Sequence, residues 1–349
     1  MSETRQEPLL KVEHLRQYFN KGNSRAVDDI SFNVWRGEVF SLVGESGCGK
    51  TTTGRSVIGL HNITGGQVYF DGQLVNAGLY DCESALQQAA RDVKEKKISA
   101  GDYRQIVRQQ RQEERRIRQF LRKRDFETKI QMIYQDPATS LDPRMTVREI
   151  IAEGLRIQGI KSEEEISRRV SDVLVRVGLL PEYAGRYPHE FSGGQRQRIG
   201  IARAIIMEPK LLIADEPVSA LDVSIKAQVV NLLDDLRKEM GLAVLFISHD
   251  LSVVKYFSDR IAVMYYGKIV ELADSAELFA RPLHPYTKSL LSAIPLPDPD
   301  YEQRRVRTVY EPDSAHDYAQ DAPSFREVFP GHWVHCHSAE YERYKAARL

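Results

Sequence analysis

A glycine-rich octapeptide constrains the fold of this chain more than any other feature. The stretch GESGCGKT, from Gly44 to Thr51, directly follows the apolar run VFSLV and directly precedes a helical pattern. Its glycines let backbone N–H groups curve around phosphate oxygens without steric clash from Cβ atoms. Lys50 is expected to reach the terminal phosphates, and the Thr51 hydroxyl to ligate Mg²⁺. The pattern predicts a Walker A loop, and therefore an α/β protein of the P-loop NTPase class.

Composition narrows the class of protein further. The chain has 349 residues and a formal net charge of zero, so it lacks the global basic field that attracts nucleic acid. No apolar run approaches the roughly 18 residues that span a bilayer, and the polar N-terminus MSETRQEPLL does not resemble a signal peptide. Cys48, Cys82 and Cys336 are odd in number and far apart, which argues against a disulfide framework. We therefore expect a cytosolic globular protein.

Hydrophobic patterning places strands and helices along the chain. Residues 8–43 alternate in the manner of strands, and QVYFDGQLV predicts a hairpin with an Asp-Gly turn. Residues 81–128 are rich in Gln, Glu, Arg and Lys, and predict a charged, solvated helical insert. Residues 146–180 carry a helical period, whereas KLLIADEP and AVLFISHD read as buried strands of a parallel sheet.

Two carboxylates end the strand LLIAD. Asp215 is placed to hold magnesium through water, as in a Walker B motif, and Glu216 to polarise an attacking water as general base. Because the two residues are adjacent, only one of them can point at the metal, and the division of roles is an inference.

The stretch FSGGQRQRIGIARAI, residues 191–205, is a second candidate anion site. Ser-Gly-Gly at the start of a helix offers exposed N–H groups and the positive end of the helix dipole. One triphosphate does not need two such sites in one chain, so this site is expected to serve a different nucleotide.

The order of these motifs resembles the ATP-binding cassette family, from about residue 8 to residue 295. Walker A is followed by Gln135 after a strand, then FSGGQ, Walker B, SALD and His249 after a strand. The resemblance implies a RecA-like core sheet, an antiparallel β subdomain, an α-helical subdomain, and ATP with Mg²⁺ as ligands. It also implies that ATP is shared between two cassettes, with FSGGQ covering the partner's nucleotide.

The resemblance assigns a role to each motif residue. Gln135 is implied to touch Mg²⁺ or the lytic water, His249 the γ-phosphate, and Tyr18 the adenine ring. Asp222 is implied to lie at the cassette interface; as a capping residue type it is also a candidate N-cap of the helix that follows, and the two roles are compatible. The implied contacts to the chain's own ATP are Gly44, Glu45, Ser46, Gly47, Cys48, Gly49, Lys50, Thr51 and Thr52. The implied contacts to the partner's ATP are Ser192, Gly193, Gly194 and Gln195. Cys48 is either a small filler or a thiol whose pKa is lowered by the helix N-terminus.

Two further stretches, YQDPATSLDPRMTVREII and LFARPLHPYTKSLLSAIP, are similar to the oligopeptide/dipeptide importer branch of the family. That likeness implies the second type of ATPase subunit, on the cytoplasmic face of the membrane. It would be docked on two permeases and paired with a different ATPase chain, with a peptide-binding protein outside and no nucleic acid. The expected domains are a cassette over 1–272, with a helical subdomain near 137–190, and an extension over 273–349.

Several alternatives stay open at this level. The solute can be an oligopeptide, or a dipeptide, nickel, an opine or a sugar, because the ATPase chain does not touch it. A soluble cassette ATPase acting on DNA or ribosomes, and a regulatory cassette without turnover, are less consistent with the motifs. The insert either contacts anionic lipid or is a solvated hairpin held by i,i+4 pairs. The tail HWVHCHSAEY has one cysteine, so no iron–sulfur cluster is expected there, although zinc bound by Cys336 and its histidines is conceivable.

Overall fold

The computed structural model of the chain describes residues 7–20, 23–123, 129–294, 309–312, 316 and 321–346. The described residues of 1–35, 51–127 and 266–268 form one compact unit, and those of 36–50, 128–265 and 269–349 form another. Residues 124–128 of the predicted insert, and Pro295 of the stretch that indicated the importer branch, lie outside the described residues.

The first unit is built on a four-stranded antiparallel sheet. Its strand order is β2-β1-β4-β5. The strands are β1 Leu10–Phe19, β2 Ser24–Val34, β4 Gly65–Phe70 and β5 Gln73–Ala77. The predicted hairpin is present, and its turn residues Asp71 and Gly72 have φ angles of 50° and 77°, as a tight two-residue turn requires. This sheet is the antiparallel subdomain that the sequence predicts.

Helices complete the first unit. They are α1 Lys50–Val57, α2 Tyr80–Lys94 and α3 Ala100–Lys123. Helices α2 and α3 pack on each other and occupy the charged segment for which helices were predicted. Ile117 of α3 is buried with Ala77 and Cys82, so the insert has a small apolar contact of its own.

The second unit contains an eight-stranded sheet in the order β11-β12-β10-β9-β3-β8-β7-β6. Its strands are β3 Val39–Val43, β6 Ile130–Ile133, β7 Leu211–Asp215, β8 Ala243–Ser248, β9 Arg260–Tyr265, β10 Lys268–Asp274, β11 Ser324–Phe329 and β12 His332–Cys336. Strands β6, β7, β8, β3 and β9 pair in parallel. Every residue of β3, β7 and β8 is buried, as the continuous apolar runs in the sequence predict. The predicted P-loop NTPase fold class is confirmed.

The C-terminal segment joins this sheet. Strand β12 pairs antiparallel with β10, and β11 pairs with β12. Because β10 crosses the predicted boundary at residue 273, the extension continues the sheet of the second unit. The division at residue 273 stays a prediction.

Helices cover the second unit. They are α4 Pro137–Ser140, α5 Val147–Ile157, α6 Glu163–Arg176, α7 Gly193–Ile205, α8 Val223–Met240, α9 Leu251–Phe257, α10 Ser275–Ala280, α11 Pro285–Ser292 and α12 Ser338–Ala346. One continuous apolar core runs from the sheet into α5, α6 and α7, and includes Phe246, Ile151 and Leu174. Within the described ranges, no helix has both the length and the apolar character that crossing a membrane requires.

Candidate functional site

The Walker A loop follows the carboxyl end of β3, and its backbone oxygens accept hydrogen bonds from the loop's own lysine. The Lys50 side chain is buried, and its Nζ donates to the carbonyl oxygens of Gly44 at 2.8 Å and Glu45 at 2.9 Å. A Cβ atom on Gly44 would lie 2.3 Å from the backbone oxygen of Met264, so this position requires glycine. Lys50 therefore stands at the centre of a loop of backbone groups, where a cation can meet phosphate oxygens.

Cys48 packs inside this loop. It is buried, and its Sγ lies 3.8 Å from Lys50 Nζ. Burial raises the pKa of the Cys48 thiol, and the nearby Lys50 charge only partly opposes that effect. The alternative of a thiol with a lowered pKa is therefore wrong, and the interpretation of Cys48 as a small filler agrees with its burial. Glu45, Ser46 and Gly47 are exposed, whereas Gly49 is buried. Thr51 and Thr52 follow Lys50 in the first turn of α1.

Three parallel strands bring the predicted catalytic residues to one edge of the sheet. Asp215 ends β7 and is 1% exposed. Gln135 follows β6 and His249 follows β8, the two neighbours of β7. Gln135 Nε2 donates to Glu216 Oε2 at 3.1 Å, and His249 Nδ1 lies 3.2 Å from the same oxygen. Residues separated by 81 and 33 positions in sequence thus converge on one carboxylate.

Helix α7 begins with the second candidate anion site. Ser192 is its N-cap residue, and its hydroxyl oxygen accepts the backbone N–H of Gln195 at 3.3 Å. In return, Gln195 Oε1 accepts the backbone N–H of Ser192 at 3.0 Å, which completes a capping box. Gly194 packs close to α8, because a Cβ atom there would lie 2.6 Å from Ile225 Cγ2. The four predicted residues are contiguous at one helix start, and the amide oxygen of Gln195 serves the cap.

Known proteins are similar to this chain in sequence and in fold. The family model described as "ABC transporter" matches residues 27–219. The chain belongs to the ABC transporter family. A second model, "Oligopeptide/dipeptide transporter, C-terminal region", matches residues 270–320.

Individual relatives cover nearly the whole ABC chain. It is 53% identical to "Oligopeptide transport ATP-binding protein OppF" of Bacillus subtilis, over 97% of this chain and 99% of that protein. It is 48% identical to "Oligopeptide transport ATP-binding protein AmiF" of Streptococcus pneumoniae, over 97% of this chain and 98% of that protein.

Among solved structures, cbiO1 from Clostridium perfringens, part of the ABC transporter complex cbiONQ, matches with 26% identity and a TM-score of 0.59. That match covers 79% of this chain and 92% of the other. A dimeric post-hydrolysis state of the cassette MJ0796, bound to ADP and Pi, matches with 26% identity and a TM-score of 0.57, over 76% and 98%. The predicted membership of this family is confirmed.

Asp222 occupies the N-cap position of α8 in this ABC chain, but its side chain makes no capping hydrogen bond. The prediction that Asp222 caps the helix through its carboxylate is therefore wrong. The carboxylate is exposed, which is compatible with the interface role that stays a prediction.

Tyr18 lies in β1 of the first unit. Its hydroxyl donates to Asp28 Oδ1 at 2.5 Å, and its ring meets the edge of Tyr80 at a centroid distance of 5.5 Å. The guanidinium of Arg25 lies 5.5 Å from the ring centroid. Burial raises the pKa of Tyr18, and the hydrogen bond to Asp28 adds to this effect. Stacking of Tyr18 on adenine stays a prediction.

The histidine-rich tail contributes to the C-terminal core. Cys336 is fully buried in an apolar cluster with Val328, Val334 and Tyr344, and burial raises its pKa to about 11. His332 is also buried, and its Nε2 lies 2.8 Å from Glu271 Oε1. Within the part of the chain that the structure describes, no three His, Cys, Asp or Glu side chains are arranged to hold a metal ion. The expected absence of an iron–sulfur cluster stays a prediction.

Two features escaped the sequence prediction. The capping box could have been predicted from the sequence, because Ser-x-x-Gln before an apolar helix is its known signature. The second feature is a hydrogen bond from the backbone N–H of Glu45 to the hydroxyl of Tyr286, at 3.1 Å. No sequence pattern predicts this contact. Tyr286 lies in the HPYT stretch, which indicated the family branch without indicating a contact.

Proposed function

We propose that this chain is the ATP-hydrolysing subunit that powers uptake of oligopeptides across the cell membrane in a multi-subunit ABC importer. The observation that carries this proposal is the likeness, over nearly the full length of the chain, to ATP-binding proteins of oligopeptide transport. The match of the C-terminal region to the oligopeptide/dipeptide transporter model is independent of the cassette match and supports the same solute class.

The site supplies the groups that ATP hydrolysis needs. Lys50 and the N–H groups of its loop neutralise and orient phosphate oxygens. Glu216 is the general base in this proposal, since its carboxylate can accept a proton from water. Gln135 and His249 hold that carboxylate by its Oε2 atom. Because His249 Nδ1 is directed at Glu216, the ring can also donate from Nε2 to a phosphate only in the imidazolium form.

The donor set at the carboxyl ends of β6 and β7 suits Mg²⁺. The Asp215 carboxylate and the Gln135 amide oxygen there are hard oxygen ligands of the kind that Mg²⁺ prefers, and so is the Thr51 hydroxyl that the Walker A pattern implies. When bound, Mg²⁺ neutralises charge on the β- and γ-phosphates. The role of this chain's residues is to fix its position.

The proposed partners follow from the shared nucleotide site. Ser192, Gly193 and Gly194 would meet the ATP held by a second ATPase subunit, which we propose is a different chain. The dimeric state of the cassette MJ0796 with ADP and Pi supports the pairing of two cassettes. Two membrane permeases would hold this pair at the cytoplasmic face of the membrane, and a peptide-binding protein would deliver the solute from outside.

A second candidate solute is a dipeptide. "Dipeptide transport ATP-binding protein DppF" of Lactococcus lactis is 44% identical to this chain, over 98% of each protein. The ATPase chain does not touch the solute, so the two candidates differ only in the permeases and the binding protein.

Uptake of labelled peptides by cells that lack this chain tests the proposal. We expect deletion to abolish uptake of a labelled tetrapeptide, and expression of the parent chain to restore it. Glu216→Gln should not restore uptake, whereas Glu182→Gln, an exposed acid elsewhere in the second unit, should. Loss of dipeptide uptake alone would favour the second candidate. Unchanged uptake of both peptides would contradict peptide import.

A further inference from the structure

Helix α3 carries a line of arginines along the face opposite to its packing face. Its apolar side chains, centred on the buried Ile117, pack against β5 and α2. The arginines recur at alternating intervals of four and three residues, which places them on one face of a helix. This arginine stripe consists of Arg104, Arg108, Arg111, Arg115, Arg118 and Arg122, all exposed.

Intrahelical pairing does not account for this stripe. The acids of α3 are Asp102, Glu113 and Glu114. Glu114 pairs with Arg118 at 2.7 Å, and Glu113 pairs with Arg116, which lies off the stripe. The other stripe arginines, apart from Arg104, which donates to a backbone carbonyl, have no carboxylate partner among the described residues. They are Arg108, Arg111, Arg115 and Arg122. A solvated hairpin held by i,i+4 pairs therefore explains only a minority of these charges.

The shape of the stripe matches a flat anionic surface. From Arg104 to Arg122 it is about 27 Å long, at roughly 1.5 Å per residue. Guanidinium groups bind phosphate through two parallel N–H bonds, and an extended row of them fits a plane of phosphate headgroups. The two aromatic residues of α3, Tyr103 and Phe120, are half-buried and lie outside the stripe, so the stripe offers no ring that would stack on bases, which disfavours single-stranded nucleic acid. Because the net charge of the chain is zero, this attraction is local to α3.

We propose that the arginine stripe of α3 binds the anionic phospholipid headgroups of the membrane at which this ATPase works. The proposal rests on the proposed function, since that function places the chain at a membrane surface. Basic segments close to an anionic leaflet gain attraction from each Lys or Arg, and salt screens this attraction.

Vesicle flotation with the purified full-length chain tests the stripe. The probes are phosphatidylcholine vesicles, with and without about one third phosphatidylglycerol. The test variant replaces Arg108, Arg111, Arg115 and Arg122 by Gln. The control variant removes the same charge from Arg91, Lys94, Lys96 and Lys161, of which the first three lie in or beside α2 of the same hairpin.

We expect the parent to bind only the phosphatidylglycerol vesicles, and the stripe variant to bind them at least tenfold more weakly. The control should stay within about threefold of the parent, and high salt should release all three proteins. Equal loss in both variants, or equal binding to neutral vesicles, would overturn the proposal. So would stripe-dependent binding of duplex DNA that is tighter than vesicle binding. ATP turnover is measured separately, without lipid and with the second ATPase subunit of the importer present: its absence in the parent would contradict the proposed function and leave the binding result standing.

A separate observation concerns Tyr286, the buried tyrosine of α11. Its hydroxyl accepts the N–H of Glu45 in the Walker A loop at 3.1 Å, and its side chain is 2% exposed. Its ring packs on Tyr265, with ring centroids 4.4 Å apart, and on Tyr310, at 5.5 Å. Burial raises the pKa of Tyr286, so its hydroxyl stays neutral.

The backbone that leads to Tyr286 is itself anchored. His284 Nδ1 accepts the N–H of Tyr286 at 3.1 Å, and this makes His284 the N-cap of α11. The buried carboxylate of Glu271 accepts the N–H groups of Leu283 at 2.7 Å and His284 at 3.0 Å, and it also meets His332. The tyrosine hydroxyl is thus held from the C-terminal region at a fixed place beside the loop.

We infer that Tyr286 is a positioning residue, through which the C-terminal region holds the Walker A loop in its phosphate-binding shape. Tyr286→Phe removes the acceptor and keeps the ring. Tyr344→Phe is the matched control, because it removes another buried hydroxyl from the C-terminal region, within the cluster of Val328 and Cys336.

We expect Tyr286→Phe to raise the KM for ATP several-fold, with kcat within about twofold of the parent and an unchanged midpoint of thermal unfolding. Tyr344→Phe should leave the KM unchanged. An unchanged KM in Tyr286→Phe, or an equal rise in both variants, would contradict the positioning role.

Discussion

Glu216 has a backbone conformation that few side chains adopt. Its φ angle is +46°, directly after the buried strand β7, and its N–H donates to the carbonyl of Ile247 at 2.9 Å. Its side chain is only 12% exposed, and both Gln135 and His249 contact the Oε2 atom. A non-glycine residue held in this conformation, with its carboxylate clamped from two sides, is consistent with a role that depends on orientation.

Glu216→Gln should therefore lower ATP turnover by at least about 100-fold, the scale on which a general base contributes. ATP affinity should stay within a few-fold of the parent, because in the proposed site Lys50 and its loop hold the phosphates. Turnover is measured as released phosphate, and affinity by equilibrium binding of a fluorescent ATP analogue. Turnover near the parental rate would assign the base to another residue.

Sequence motifs identified Glu216, Gln135 and His249 one by one, because each follows a strand-like run. That they meet on one oxygen depends on the strand order β6-β7-β8, which the motifs do not contain. The pKa of the Cys48 thiol is a case in which local sequence context suggested the wrong direction. A loop that leads into a helix suggested a lowered pKa, but burial acts more strongly and raises it.

At the scale of elements, the start of α7 combines a helix cap with the residues that we propose contact the partner's ATP. The capping box of Ser192 and Gln195 satisfies N–H groups that would otherwise lack partners at a helix end. Helix α8 begins without a comparable side-chain cap, although Asp222 stands in the right position. A residue of a capping type in the N-cap position therefore does not by itself show that a side-chain cap forms. Only the structure shows that α7 has such a cap and that α8 does not.

Two substitutions of Ser192 should separate these roles. Ser192→Ala removes the cap and should lower the free energy of unfolding by about 1 kcal/mol. Ser192→Asp keeps a capping oxygen at the positive end of the helix dipole, so stability should stay near the parent. However, its negative charge would repel the partner's triphosphate, and turnover of the paired ATPase should fall at least about tenfold. Chemical denaturation and phosphate release measure the two effects. If turnover falls only in step with stability, the shared-site role of Ser192 is wrong.

At the scale of the whole molecule, the C-terminal region is the part whose structure hydrophobic patterning predicted least. Proline-dotted sequence with weak periodicity gave no sign that β11 and β12 extend the sheet next to β10. Pairing of strands that are distant in sequence depends on register and contacts that one-dimensional patterns do not record. By contrast, the parallel strands were predictable, because burial on both faces leaves an uninterrupted apolar run.

If each nucleotide site is completed by a second ATPase chain, as proposed above, the identity of that second chain can be tested. Lys50→Ala disables the chain's own Walker A loop, and Ser192→Asp disables the surface offered to a partner. If the chain paired with itself, a hybrid of the two variants would contain one intact site. An equal mixture would then recover about a quarter of parental activity, because half of randomly formed pairs are hybrids with one working site of two. We expect no such recovery, slow turnover of the chain alone, and a large rise when the second ATPase subunit of the same importer is added. Recovery to about a quarter, without that subunit, would show that this chain forms its sites with a copy of itself.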